Sequence, residues 1–227
     1  QDVDIAMSTV LELGHAERDG LAAQACDGFA GEIVQTDDQE LAGATKWFEA
    51  AARRFELLGG KLESLEGRTV DGTDFDWAAY RDKVVLIYFC SNPSSLCRAE
   101  MAAIKAYYDV YHDRGFEVVE ISSDGNRQAL QDLLVKEQSP WAILHDADTD
   151  GMHPIAKYYG ITTGPKAFLI DQAGTVVSIR ARGGQLPKLL KELLGPSYGH
   201  GKALAMAGRW EELAANFEKV VKINPEN

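Results

Sequence analysis

Hydrophobic and polar residues alternate in blocks along this chain, and the clearest block is an unbroken apolar run at residues 84–90. A continuous apolar run of this length predicts a strand that is buried on both faces. The run ends before Asn92-Pro93-Ser94-Ser95, a segment that favours a turn followed by a helix N-cap. From Leu96 to Tyr111 apolar residues recur at helical spacing, which predicts an amphipathic helix. A strand, a tight turn and a helix therefore follow one another directly.

Short strands and helices continue to alternate after this helix. We predict a hairpin at 70–75 before the first strand and then, after the first helix, a strand at 116–122, a helix at about 126–137, a strand at 141–144, a short helix at 152–159, strands at 166–171 and 175–179 and a closing helix at 186–194. This order predicts an α/β fold, in which a mixed sheet carries helices on both faces.

The two ends of the chain differ from its middle. Residues 3–59 carry apolar stripes at helical spacing, with a break at 36–38, and they end at a pair of glycines. Residues 207–227 resemble the second half of a tetratricopeptide repeat, which we expect to pack on the N-terminal helices. The predicted organisation is a helical N-terminal extension, a central α/β domain and a C-terminal helical, repeat-like segment, at 1–60, 61–195 and 196–227.

Composition excludes several classes of function. The net charge of −12 argues against nucleic acid and anionic membranes as partners. No apolar run approaches the roughly 20 residues of a membrane span. The cysteines, Cys26, Cys90 and Cys97, are too few for a disulfide scaffold, and we expect Cys26 to be a buried core residue. The histidines are scattered, so we predict no metal site and no cofactor. The sequence carries no indication of oligomeric state.

The strand, turn and helix around residue 90 resemble the active site of the thioredoxin superfamily, and most closely its TlpA/ResA-like branch. That branch has an apolar strand, then Phe-Trp-Ala-x-Trp-Cys-x-x-Cys-Arg-x-Glu, then a helix. Phe89 and the run Cys97-Arg98-Ala99-Glu100 match this pattern without a gap. Further along the chain, Gly164-Pro165 before an apolar strand resembles the family's cis-proline loop. The resemblance implies a thioredoxin-like domain at 61–195.

The resemblance also implies roles for particular residues. Cys97 falls on the resolving cysteine, in the first turn of a helix where the dipole favours a thiolate. Glu100, one turn later, corresponds to an acid that tunes the thiol and passes protons. Gly164 and Pro165 correspond to the loop that pairs with an extended substrate. The implied partner is a protein thiol or disulfide, or another partner protein, and the implied location is the periplasm or cell envelope.

Ser94 departs from the family pattern, because it occupies the position of the nucleophilic cysteine. An alcohol is neither deprotonated nor redox-active near neutral pH, so a dithiol cycle through positions 94 and 97 cannot operate. The sequence leaves several hypotheses open. The first is a TlpA-type thiol–disulfide oxidoreductase in which Ser94 is native or an engineered replacement. The second is a non-catalytic protein-interaction module, and the third is a one-cysteine peroxidase-like enzyme. The fourth is another thiol cycle, such as one that uses Cys90 with Cys97.

Overall fold

The computed structural model describes residues 2–35, 42–90, 94–128, 130–132, 139–146 and 152–196. The repeat-like C-terminal segment, apart from its first residue, lies outside the described residues, and so does the predicted break at 36–38. Of the helix predicted at about 126–137, residues 127–128 and 130–132 are helical.

The predicted helical N-terminal region consists of three helices, α1 (Asp2–His15), α2 (Asp19–Gln35) and α3 (Ala42–Glu56). The break between α1 and α2 was not predicted from the sequence. At this break Glu17 adopts a left-handed backbone conformation, with φ at 58°. Because non-glycine residues seldom adopt this conformation, the hydrophobic pattern contains little indication of such a turn.

A five-stranded mixed sheet forms the centre of the molecule, as the sequence predicted. Its strands are β1 (Val84–Cys90), β2 (Phe116–Ser122), β3 (Ala142–Leu144), β4 (Lys166–Ile170) and β5 (Val176–Ser178), in the spatial order β3-β2-β1-β4-β5. β1, β2 and β3 are parallel to one another. β4 pairs with β1 in the antiparallel direction, and β5 pairs with β4 in the antiparallel direction. Besides the helical residues near 130, the described residues form α4 (Ser95–Tyr111), α5 (Pro154–Tyr158) and α6 (Gln185–Leu194), with 3-10 turns at Trp77–Tyr80 and His112–Arg114.

The alternation of side chains along β1 divides the core into two layers. Val85, Ile87 and Phe89 belong to a cluster that includes buried residues of α1, α2 and α3. Tyr88 and Cys90 belong to a second cluster, on the opposite face, with buried residues of α4 and α6. The N-terminal helices and the pair α4 and α6 therefore cover different faces of the sheet, and Cys90 lies in the layer that contains α4.

Polar contacts fix the N-terminal helices to the rest of the molecule. The buried guanidinium of Arg54 donates to the carbonyl oxygens of Tyr159 and Gly160, at 2.8 and 3.0 Å. Asp19, also buried, pairs with Arg180, which follows β5. Together with the shared hydrophobic cluster, these contacts make the N-terminal helices part of the domain's core packing.

The hairpin predicted at 70–75 forms as a tight turn with isolated bridges. The amide of Thr69 donates to the carbonyl of Thr73 at 2.9 Å, and Gly72 has φ at 91°. Asp71 accepts hydrogen bonds from the amide and hydroxyl of Thr73. These local bonds close the turn, and an isolated β-bridge between Arg68 and Asp74 extends the pairing.

Candidate functional site

The site begins where β1 ends and α4 starts. Ser94 is the N-cap of α4, and its Oγ accepts a hydrogen bond from the amide of Cys97 at 3.4 Å. Serine is among the preferred N-cap residues because its short side chain satisfies an amide that has no partner within the helix. The hydroxyl of Ser94 therefore orients the first turn of α4, which carries Cys97.

Cys97 and Cys90 are adjacent in the core, although seven positions separate them in sequence. Their relative exposures are 0% and 2%, and both belong to the buried cluster on the face of the sheet that carries α4. Neither forms a disulfide in this structure. Burial, and next the hydrogen bond to Cys97, raises the pKa of Cys90 above that of an ordinary thiol. Cys90 is therefore a protonated thiol at neutral pH, directly beside Cys97.

Cys26 lies elsewhere. It is fully buried in the cluster on the opposite face of the sheet, among residues of the N-terminal helices. Burial raises its pKa to about 12. Its position agrees with the expectation that it is a core residue, and it is separated from the Cys90–Cys97 pair by the sheet.

Glu100 follows Cys97 by one turn of α4 and is held by two partners. Arg182 donates to both carboxylate oxygens, from Nε at 2.9 Å and from Nη2 at 2.6 Å. The hydroxyl of Tyr88 donates to Oε2 at 3.2 Å. The hydrogen bond to Glu100 raises the pKa of Arg182, and burial raises the pKa of Tyr88. The charge of Glu100 is thus fixed in place by a cation and a neutral phenol.

Tyr88 connects this ion pair to the thiols. It lies two residues before Cys90 and on the same face of β1. Its hydroxyl is near enough to the thiol of Cys90 to act on the pKa of that thiol, in the direction opposite to burial. Hydrogen bonds therefore lead from Arg182 through Glu100 to Tyr88, which lies on the same face of β1 as Cys90.

A second carboxylate approaches Cys90 from the neighbouring strand. Glu120 stands opposite Tyr88 in the β1–β2 register and is fully buried. The indole Nε1 of Trp141 donates to its Oε2 at 3.3 Å. Electrostatic repulsion from Glu120 adds to the rise in the pKa of Cys90. Sequence reasoning missed Glu120, although an acidic residue inside an apolar strand was an available indication.

The cis-proline loop lies at the same end of the sheet as the thiols. The peptide bond between Gly164 and Pro165 is cis. A Cβ added at Gly164 would lie 3.4 Å from the carbonyl oxygen of Phe89 and 3.9 Å from Cα of Cys90. Gly164 is exposed and Pro165 is buried. The structure therefore places this loop against the end of β1.

The described part of the chain contains neither a metal-binding cluster nor a membrane-spanning helix. No group of three or more His, Cys, Asp or Glu side chains within it is arranged to hold a metal ion. None of its helices is both long and apolar enough to cross a membrane.

A mixed sheet in this strand order, with a strand–cap–helix unit beside a cis-proline loop, defines a thioredoxin-like domain. The model of the AhpC/TSA family matches residues 51–179, more than half of the chain, and the chain belongs to this family. ResA, a thiol–disulfide oxidoreductase of Bacillus thuringiensis, is 26% identical over 133 residues, which cover 59% of this chain and 71% of ResA. This relationship confirms the TlpA/ResA-like resemblance seen in the sequence.

Solved structures agree on the fold. The thioredoxin domain of a thiol–disulfide oxidoreductase from Bacteroides vulgatus superposes with a TM-score of 0.52 at 22% identity, over 60% of this chain and 97% of that domain. A thiol:disulfide interchange protein of the thioredoxin family from Chlorobium tepidum superposes with a TM-score of 0.51 at 21% identity, over 60% and 96% of the two chains.

Proposed function

We propose that this chain is a thiol–disulfide oxidoreductase of the TlpA type that acts on protein thiols or disulfides in the cell envelope, with Cys97 as the reacting sulfur. The position of Cys97 carries the proposal, because it lies in the first turn of α4 at the end of the sheet where the cis-proline loop lies. Membership of the AhpC/TSA family and the relationship to ResA support it.

The neighbouring residues take supporting roles in this proposal. Ser94 caps α4 and cannot attack a disulfide, so it positions Cys97. Glu100 supplies a fixed negative charge and a route for protons through Tyr88. Gly164 and Pro165 present extended backbone that can pair with the main chain of a substrate.

The proposed redox domain spans residues 61–195, and residues 1–60 are proposed as an extension that completes its core. The cluster that α3 shares with β1 and β4 supports this division of roles. The repeat-like segment at 196–227 is proposed as a third, helical part of the chain.

Reduction of insulin by dithiothreitol, followed by turbidity, tests the proposed activity. We expect the protein to accelerate reduction and Cys97→Ala to abolish the acceleration, because the reacting sulfur is gone. Cys26→Ala is the matched variant, since it also removes a buried thiol but on the opposite face of the sheet. Equal activity of Cys97→Ala and the unmodified protein would reject the proposal.

A second function is favoured by one observation, the complete burial of Cys97 together with the use of the Ser94 hydroxyl as a helix cap. A non-catalytic protein-interaction module would have this closed arrangement. Ser94→Cys separates the two functions, because it restores the family's pair of cysteines. Absence of activity in both the unmodified protein and Ser94→Cys would support the interaction module.

A further inference from the structure

Cys90 and Cys97 are the two buried thiols of the site, and Cys90 does not occupy a cysteine position of the family's motif. Cys90 ends β1 on the face that packs against α4, and Cys97 lies in the first turn of that helix. Both side chains are buried in the same cluster between the sheet and α4, and Cys97 is near enough to contribute to the raised pKa of Cys90. Both are in the reduced form.

We propose that Cys90 and Cys97 form the redox couple of this protein, with Cys90 as the resolving cysteine. The couple takes the place of the pair at 94 and 97, which Ser94 makes impossible. This inference rests on the proposed thiol–disulfide activity for its catalytic meaning, and it identifies the second sulfur that such an activity needs.

The order of the two sulfurs follows from their surroundings. Cys97 is on the helix that Ser94 caps and occupies a cysteine position of the family's motif, so we assign the attack on the substrate to it. Cys90 is on the strand, where burial and the charge of Glu120 raise its pKa, and it stays a thiol until an adjacent electrophile forms. Cys97 is therefore the attacking sulfur and Cys90 the resolving one.

The electrons balance with a substrate disulfide as the oxidant. The sulfur of Cys97 attacks one sulfur of that disulfide, an S–S bond breaks, and the first substrate thiol leaves with the proton that Cys97 has lost. The sulfur of Cys90 then attacks Cys97, and the second substrate thiol leaves with the proton of Cys90. The substrate disulfide gains two electrons, and the Cys90–Cys97 pair loses two as it becomes a disulfide.

The sequence permits a direct assay of this bond. Trypsin cleaves after Lys83 and Arg98, so residues 84–98 form one peptide that contains both cysteines, whereas Cys26 falls in the peptide 19–46. The full chain is equilibrated with mixtures of reduced and oxidised glutathione, from the reduced and from the oxidised side. It is then denatured, alkylated, digested and analysed by mass spectrometry.

We expect oxidation to convert peptide 84–98 from the doubly alkylated form to an unalkylated form. The mass of that form should be two hydrogen atoms below that of the unalkylated dithiol peptide, while Cys26 remains alkylated. The same peptide alkylated at both cysteines at every glutathione ratio would overturn the proposal. So would separate glutathione adducts on Cys90 or Cys97 without an internal bond. This measurement needs no variant, so a folding defect cannot confuse it.

Variants then connect the bond to turnover. In Cys90→Ala, and in Cys90→Ser as a second replacement, we expect insulin reduction to fall by about tenfold or more and a mixed disulfide between Cys97 and the substrate to accumulate. A merely structural role of Cys90 would lower activity without trapping that species. Cys26→Ala should trap nothing and retain activity.

The results separate this inference from the function on which it rests. An internal disulfide in a protein that does not reduce insulin would keep the couple and reject the proposed substrate class. Insulin reduction that persists unchanged in Cys90→Ala, without an internal disulfide in the unmodified protein, would keep the function and reject the couple.

Discussion

The carboxylate of Glu100 and the guanidinium of Arg182 form an ion pair in which both carboxylate oxygens are engaged, with Nη2 of Arg182 2.6 Å from Oε1. The two residues are 82 positions apart in sequence. The pair joins the second turn of α4 to the segment between β5 and α6. Two parallel hydrogen bonds to one carboxylate also fix its orientation, which a single contact would not.

Removal of the cation tests how much this pair stabilises the fold. Arg182→Met should lower the free energy of unfolding by about 1–3 kcal/mol, because it leaves a partly buried carboxylate without its cation. Urea denaturation measures the loss. Arg68→Met is the matched variant, since Arg68 pairs with Asp74 at 3.4 Å on the surface, where about 0.5 kcal/mol or less is expected. Equal losses in the two variants would contradict the prediction.

Arg54 offers a second test, of the attachment of the N-terminal helices. Its guanidinium is buried and donates to the carbonyls of Tyr159 and Gly160, and burial lowers its pKa. Arg54→Met leaves those carbonyls without their donor, so the free energy of unfolding should fall by about 2–4 kcal/mol.

The adjacent Arg53 supplies the comparison for this experiment. It donates to the carbonyl of Tyr158 at 3.1 Å and lies over the ring of the same tyrosine, in a more exposed position. Arg53→Met should therefore cost about 1 kcal/mol or less. Thermal and urea unfolding of both variants would reveal the difference, and a larger loss for Arg53→Met would disprove the assigned role of Arg54.

The sequence predicted the sheet and the helix of the site because each is encoded locally. The apolar run of β1, the cap at Ser94 and the helical spacing of α4 are properties of consecutive residues. Their positions along the chain required no knowledge of distant contacts. The N-terminal helices were predicted for the same reason, but an amphipathic stripe shows only that a helix buries a face, and not which surface covers that face.

The contacts that define the site's chemistry were not predictable in this way. Arg182 could not be connected to Glu100 from spacing, since the pairing depends on how the segment after β5 returns to α4. The alternation along β1 did place Tyr88 and Cys90 on one face, but their proximity to Cys97 depends on how α4 packs against the sheet. A cycle of Cys90 with Cys97 was one of several thiol hypotheses, and the shared cluster of the two residues is what favours it now.

His153 makes stability depend on pH. It is 3% exposed, its Nδ1 accepts from the amide of Ile155, and burial lowers its pKa to about 4. In the unfolded chain a histidine titrates near pH 6.5, roughly its ordinary value. Between about pH 4 and pH 6.5 the unfolded state therefore binds more protons than the folded state, and the free energy of unfolding rises with pH.

The stability that His153 contributes should thus be complete above about pH 6.5 and lost as the pH falls to about 4, to a total of up to about 3 kcal/mol. His153→Asn removes the titration and keeps a side chain that can cap α5. Urea unfolding of both proteins across this range should give a shallower slope for the variant. Parallel pH profiles would show that His153 is not the responsible group.

Gly160 lies at the contact between α3 and the segment after α5, and it has φ at 61°. A Cβ at this position would lie 3.1 Å from Cβ of Ala50 and 3.2 Å from the amide nitrogen of Ala51. Gly160→Ala should therefore lower the free energy of unfolding by about 2 kcal/mol or more, through backbone strain and displacement of α3.

Gly115→Ala separates the effect of backbone strain from the effect of displacing α3. Its φ is 88°, but an added Cβ would meet nothing within 4 Å, so Gly115→Ala should cost about 1 kcal/mol from strain alone. Urea unfolding compares the two variants. If the free energy of unfolding falls equally in the two variants, α3 can move away from Gly160 without cost, and the contact at Gly160 does not fix the position of α3. A larger loss at Gly160 means that α3 is packed against a rigid backbone, as expected if the N-terminal helices complete the core.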